Sequence, residues 1–156
     1  MTGILTQCCA RLAVMSHFFF IQKKDLKSPG IITVFSIAIE TLDIVSRLDV
    51  MQDFAYYATH FYLRLMLLAA FCIIRVIRSD LRKHISLRDA EQSLFKAIAF
   101  VKKRSIQPGD LDERYAVILT QLWENSGTVN RKEASVDCLN LRIRSRSVRY
   151  ISQVEE

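Results

Sequence analysis

The chain has 156 residues, enough for one domain and too few for two ordinary ones. With 51% apolar and 24% charged residues and a mean hydropathy of +0.16, it carries the apolar surface that disordered, collagen-like and low-complexity chains lack. Only four Gly and two Pro are present, too little turn material for a sandwich or barrel, which needs turn residues at short regular spacing. Long helices remain, and the fold class expected is all-α. The net charge of +6, from 22 Lys and Arg against 16 Asp and Glu, suits an acidic partner without specifying one.

Five segments read as helices. The first runs from about Ile4 to Gln22 and ends in the polar string QKKDLKS. Ser28 is placed as the N-cap of the second, with Pro29 at the first helical position, where its missing N–H costs nothing. Apolar residues three and four apart from Ile37 to Leu48 make the second half of that helix firmer than its β-branched start, Ile31 to Val34. The third, about Met51 to Leu81, is expected to be the long buried centre of the fold. At 100° per residue Asp53, Tyr57, His60, Arg64, Leu68, Phe71, Arg75 and Arg78 fall on one stripe, and the rest of its surface is almost wholly apolar.

Ser86 and Asp89 form a near capping box for the fourth helix. Its buried face is assigned to Leu94, Phe95, Ile98, Ala99, Phe100 and Val101, and its last turn holds Lys102, Lys103 and Arg104, which suit the helix dipole. Pro108-Gly109 turns the chain, and Asp110 with Glu113 caps the fifth helix, which ends near Ser126-Gly127. Beyond it Arg131, Lys132, Arg142, Arg144, Arg146 and Arg149 face four acids. The division expected is N-terminal helices over 1–50, a helical core over 51–127 and a basic tail over 128–156.

A signal peptide is not expected at the N-terminus, which lacks a basic n-region. The most apolar run, Phe54 to Ile77, has an uncharged centre of ten residues, Leu65 to Ile74. Such a centre is roughly 15 Å long as a helix against a hydrocarbon core of about 30 Å, so it reads as a buried helix and not a membrane span. Cys8, Cys9, Cys72 and Cys138 show no disulfide spacing, the usage of a reducing compartment.

Few patterns carry chemistry. The four glycines are isolated, so no phosphate-cradling loop can be built. His17, His60 and His84 are far apart and no C-x-x-C or H-x-x-x-H occurs, so no metal site and no cofactor is expected in this chain. Nothing local supports a Cys138–His84 nucleophile pair, and Asp110, Asp112 and Glu113 sit where a helix start wants negative charge. No enzyme activity is expected. His60, Arg64 and Arg75, polar groups on the central helix, read either as an internal network with Asp53, Tyr57 or neighbouring acids, or as a candidate effector pocket in which two arginines hold a small anion. Arg142, Arg144 and Arg146 alternate with Leu141 and Ile143; solvated or acid-paired arginines suit that pattern better than a nucleic-acid stripe, since only Tyr150 offers an aromatic.

Three strings together resemble one family. Arg64-Leu65-Met66-Leu67-Leu68-Ala69-Ala70-Phe71, with Arg75 and Ser79-Asp80-Leu81, is similar to a helix in the middle-homology region of fungal zinc binuclear-cluster transcription factors. Ala97-Ile98, Ser105, Asp110-Leu111, Arg114 and Ile118-Leu119-Thr120-Gln121-Leu122-Trp123 resemble that region's next block, and Leu141-Arg142-Ile143-Arg144-Ser145-Arg146 its closing motif. The resemblance covers about two-thirds of the chain, roughly Thr41 to Arg146, and is nearest to regulators of the leucine-biosynthesis, weak-acid-response and secreted-protease type. It implies a non-catalytic, all-helical regulatory region of a nuclear transcription factor. Its partners would be the transcription machinery or a same-family subunit, with a small-molecule effector in some members.

The family's six N-terminal cysteines are not matched here, so the resemblance implies a truncated fragment in which zinc and DNA binding belong to a missing module. Alternative readings are a stand-alone helical interaction module, a truncated relic or a membrane-associated helical protein. Trp123 is expected to anchor one end of the core, with an expected cost of about 3–5 kcal/mol for Trp123→Ala.

Overall fold

The computed structural model describes residues 2–17 and 29–128. In chain order the elements are α1 (Thr2–Met15), α2 (Pro29–Gln52), α3 (Phe54–Tyr57), α4 (His60–Ile77), a 3-10 turn (Asp80–His84), α5 (Leu87–Arg104) and α6 (Leu111–Thr128). The fold is all-α, and among the described residues there is no strand.

α4 is the hub because it is apolar around most of its circumference. Leu63, Met66, Leu67, Ala69, Ala70, Ile73, Val76 and Ile77 are buried, and α4 packs against α1, α2, α5 and α6. Its outward stripe is the expected one: His60, Arg64 and Phe71 are exposed, and Leu68, Arg75 and Arg78 half-buried. α4 is long and apolar enough to cross a membrane by length and composition, yet more than half of it is buried by its neighbours. One apolar core runs from Leu5 and Leu12 of α1 through Val34, Leu42 and Leu48 of α2 and Leu94 of α5 to Leu119 of α6. α2 and α5 lie parallel. Asp43 pairs with Lys96, and one to two turns on in both helices Asp49 pairs with Lys103.

The central helix is shorter than its apolar pattern suggests. Met51 and Gln52 belong to α2, which continues past Leu48 until Asp53 adopts a left-handed conformation at φ 50°. Asp tolerates that region better than most residues because its short carboxylate bonds locally. Here Asp49 Oδ1 accepts the Ala55 N–H at 2.9 Å, and the Lys103 ammonium holds both Asp49 and Asp53 at 2.8–3.1 Å. After the single turn of α3 the backbone opens again at Ala58 and Thr59, both extended, and α4 begins at His60.

α4 stops at Ile77, four residues before Leu81, because Ser79 turns extended. The Ser79 Oγ donates to the Val76 carbonyl at 2.7 Å and accepts the Leu81 N–H at 3.3 Å, which nucleates the 3-10 turn. α1 likewise ends earlier than expected, at Met15, while residues 18–28, with the Ser28 cap, lie outside the described residues. Pro29 does open α2, and the β-branched start is helical because Ile31 and Val34 are buried in the core.

On α5 the Ser86 Oγ accepts the Asp89 N–H as expected. The buried face differs by one step from the assignment: Ala90, Ser93, Leu94, Ala97, Ile98, Phe100 and Val101 point inward, whereas Phe95 and Ala99 face outward. The inward stripe takes residues three, four and seven apart, and Phe95 and Ala99 fall about 100° beyond Leu94 and Ile98.

Candidate functional site

The helices that carry two of the resembling strings pack together, joined by Arg78, which lies between Arg75 and Ser79 and is not itself one of the resembling residues. Arg78, one residue past α4, donates from Nη2 to the Leu122 carbonyl of α6 at 2.7 Å, and α4 and α6 pack side by side. Leu68 of α4 and Leu122 and Trp123 of α6 are half-buried against the common core. The motif residues at this seam therefore do packing work, which is the chemistry that apolar and aromatic side chains at helical spacing supply.

The start of α6 is fixed by acids, as expected. Asp110 Oδ1 accepts the Glu113 N–H at 2.7 Å, and Oδ2 accepts the Ile106 and Gln107 N–H groups at 2.9 and 3.3 Å. These bonds, that from Glu113 N–H first, hold the Asp110 carboxyl down to about 2, since each favours the charged form. The Glu113 carboxylate accepts the Gly109 N–H. Gly109 has φ +79°, the conformation a Pro-Gly turn needs at its third position. Arg114 is exposed and donates from Nε to the Gly109 carbonyl at 3.1 Å, and Leu111 and Gln121 are exposed.

The candidate effector pocket is not assembled. His60 and Arg64 are exposed on the outer face of α4, and Arg75 is half-buried on the same stripe. Arg64 and Arg75 are three turns apart, about 16 Å along the helix axis at 1.5 Å per residue, so one small anion cannot reach both. Asp53 and Tyr57 do not join these residues, for both are exposed and Asp53 pairs with Lys103. Arg142, Arg144 and Arg146 lie outside the described residues.

Buried thiols offer no nucleophile. Burial pushes the Cys72 thiol up to about 12 and that of Cys9 to about 11; burial, reinforced by Glu40, also raises Cys8. At neutral pH these remain protonated, and the thiolate is the reactive form. Among the described residues, no three His, Cys, Asp or Glu side chains gather as a metal site.

The polar groups that join helices were not visible as sites in the sequence. Lys103 and Arg104 suit the helix dipole by sequence; in the fold they are inter-helix clamps. Lys103 bridges Asp49 and Asp53 and lies 5.4 Å from the Tyr56 ring centroid; hydrogen bonds to those two aspartates raise its pKa. Arg104 donates from Nε to Asp112 Oδ2 at 3.0 Å and from Nη1 to the Ala58 carbonyl. One end of the array is thus tied together from α2, α3, α5 and α6 by two adjacent cations.

Trp123 is less central than expected. It is half-buried, with its ring edge-on to Phe95 at 6.1 Å between centroids. Trp123→Ala is therefore expected to cost about 1–2 kcal/mol, the share due to partial burial plus one aromatic pair, rather than the cost of emptying a core site. Urea denaturation checks this, and a loss above about 3 kcal/mol would restore Trp123 to the core. Comparison of the chain with protein-family models, with curated proteins and with solved structures finds no match.

Proposed function

We propose that this chain is a helical regulatory module of a fungal nuclear transcription factor of the zinc binuclear-cluster type, working through packing and partner contacts and not through catalysis. The observation that supports the reading is that α4 and α6, the helices that carry two of the resembling strings, pack together, with Leu68, Leu122 and Trp123 against one core and Arg78, beside the first string, bonded to the Leu122 carbonyl. Residues that recur in a family because they hold a fold together are expected at such a seam. In this reading DNA is contacted by a six-cysteine module carried elsewhere in the protein, and zinc belongs to that module.

The test is a fusion of residues 1–156 to an unrelated DNA-binding domain in a fungal host, with a reporter gene downstream of its operator. A regulatory module is expected to raise or repress the reporter relative to the DNA-binding domain alone. A double substitution at the seam, Arg78→Ala with Leu122→Ala, is expected to remove that effect. A reporter indifferent to the fusion, with the fused protein present in the nucleus, overturns the proposal.

A further inference from the structure

The end of the array held by Lys103 and Arg104 also carries five exposed large apolar side chains. Val50 and Met51 at the end of α2, Tyr56 and Tyr57 of α3, and Phe61 in the first turn of α4 are between 59% and 86% exposed. The clamps show that these elements meet: Lys103 reaches Asp49, Asp53 and the Tyr56 ring, and Arg104 reaches the Ala58 carbonyl. Phe61 stacks edge-on to Tyr62 at 5.5 Å, Tyr62 to Phe54 at 5.6 Å, and Phe54 lies 6.2 Å from Phe100 in the core. Phe61 is therefore the outer edge of a packed aromatic row, and Tyr56 is held against the Lys103 ammonium.

Charge at this end is one-sided. Among the described residues the acids at this end are already engaged: Asp49 and Asp53 by Lys103, Asp112 by Arg104, and Asp110 and Glu113 by backbone N–H groups at the start of α6. Three further cations are not. Arg47, one turn before Met51, Arg64, one turn after His60, and Lys102, beside the clamp, are exposed and have no carboxylate partner among the described residues. What remains to be complemented is apolar aromatic surface bordered by positive charge.

We infer that this end, built from Val50, Met51, Tyr56, Tyr57 and Phe61 and bordered by Arg47, Arg64 and Lys102, is a docking surface for an acidic amphipathic helix of a partner protein. Tyr, Phe, Met and Arg are the side chains enriched at protein interfaces, and the α2–α3 joint that presents them is locked by Lys103, so little ordering entropy is lost on binding. A second copy of the chain is a poor occupant because the surface would bring like charges together. A lipid surface would draw only about 1 kcal/mol from each of three cations. The inference does not depend on the transcription-factor reading, since it rests on this surface alone.

The test uses the full chain and a fluorescent peptide about 20 residues long, long enough to hold a helix, with Glu and Asp on one face and Leu and Phe at i, i+3, i+4 and i+7 on the other. Anisotropy titration is expected to show saturable binding, at least about tenfold tighter than that of the same peptide with Lys in place of its acids. Tyr57→Ala with Phe61→Ala is expected to weaken binding by about tenfold while the chain stays folded, since Tyr57 is 80% and Phe61 59% exposed and the pair gives up only the Phe61–Tyr62 ring contact. Arg64→Glu with Lys102→Glu is expected to weaken it and to flatten its salt dependence. Val117→Ala with Ile118→Ala, on the exposed face of α6, is expected to change nothing.

Equal binding of the acidic and basic peptides, or indifference to both pairs of substitutions, overturns the inference. So does sedimentation with phosphatidylserine vesicles in the absence of peptide binding. So does self-association that Tyr57→Ala with Phe61→Ala abolishes.

Discussion

Replacing Arg104 with Ala is expected to destabilise the protein by about 3–5 kcal/mol, the cost of leaving a desolvated charge without its partner. The Arg104 side chain is 15% exposed and that of Asp112 13%, and the second carboxylate oxygen of Asp112 is buried with no hydrogen-bond partner. Removing the guanidinium strips Asp112 of its cation and the Ala58 carbonyl of its donor in one step. The consequence is local as well as global, since Ala58 is where the chain opens between α3 and α4. Urea denaturation measures the loss, and hydrogen exchange should show the Phe54–Tyr57 turn opening first.

A paired substitution separates charge from shape. Arg104→Met with Asp112→Leu removes both charges while keeping most of the volume, and should recover the greater part of the lost stability. If Arg104→Ala alone stays within about 1 kcal/mol of the parent, the pair behaves as an exposed ion pair and the clamp is not what holds this end together.

The second large effect belongs to the middle of α4. Ile73 is fully buried, and Ile73→Ala removes branched volume from the helix that every other long helix contacts. A loss of about 2–5 kcal/mol is expected, the range set by how far the surrounding helices can close over the cavity. Ile73→Val, which deletes one methylene, should cost about 0.5–1.5 kcal/mol. Equal effects of the two substitutions in equilibrium denaturation would show that the site collapses freely and that α4 is not the rigid centre of the fold.

The two effects differ in how legible they were. Ile73 lies in an apolar run whose period marks one polar stripe, so its burial follows from the sequence pattern, as do the caps at Ser86 and Asp110. These features are local: a capping carboxylate meets an amide three residues away, and a helical stripe repeats every three to four residues. Arg104 could not be assigned in that way. Its partners lie 8 and 46 residues away, and a Lys-Lys-Arg run at a helix end is equally well explained by the helix dipole.

The breaks at Asp53 and at Ala58-Thr59 share that origin. No Pro or Gly marks them, and local propensity would carry a helix straight through. They exist because Lys103 and Arg104, brought in from α5, act with Asp49 of α2 to satisfy the backbone groups and charges that the breaks leave open. Trp123 shows the same limit in reverse: its size suggests a core anchor, yet its position on α6 leaves it at the rim against Phe95.

The sequence by itself determined the all-α class, the apolar hub, the polar stripe of α4 and the capped starts of α5 and α6, because each depends on residues within a few positions of one another. Only the tertiary structure decided where the central helix begins and ends, which cations act as clamps and which do not, and that His60, Arg64 and Arg75 form no common pocket. Those outcomes depend on distances between residues far apart in the chain, or on axial rise along a helix, which hydrophobic periodicity does not encode.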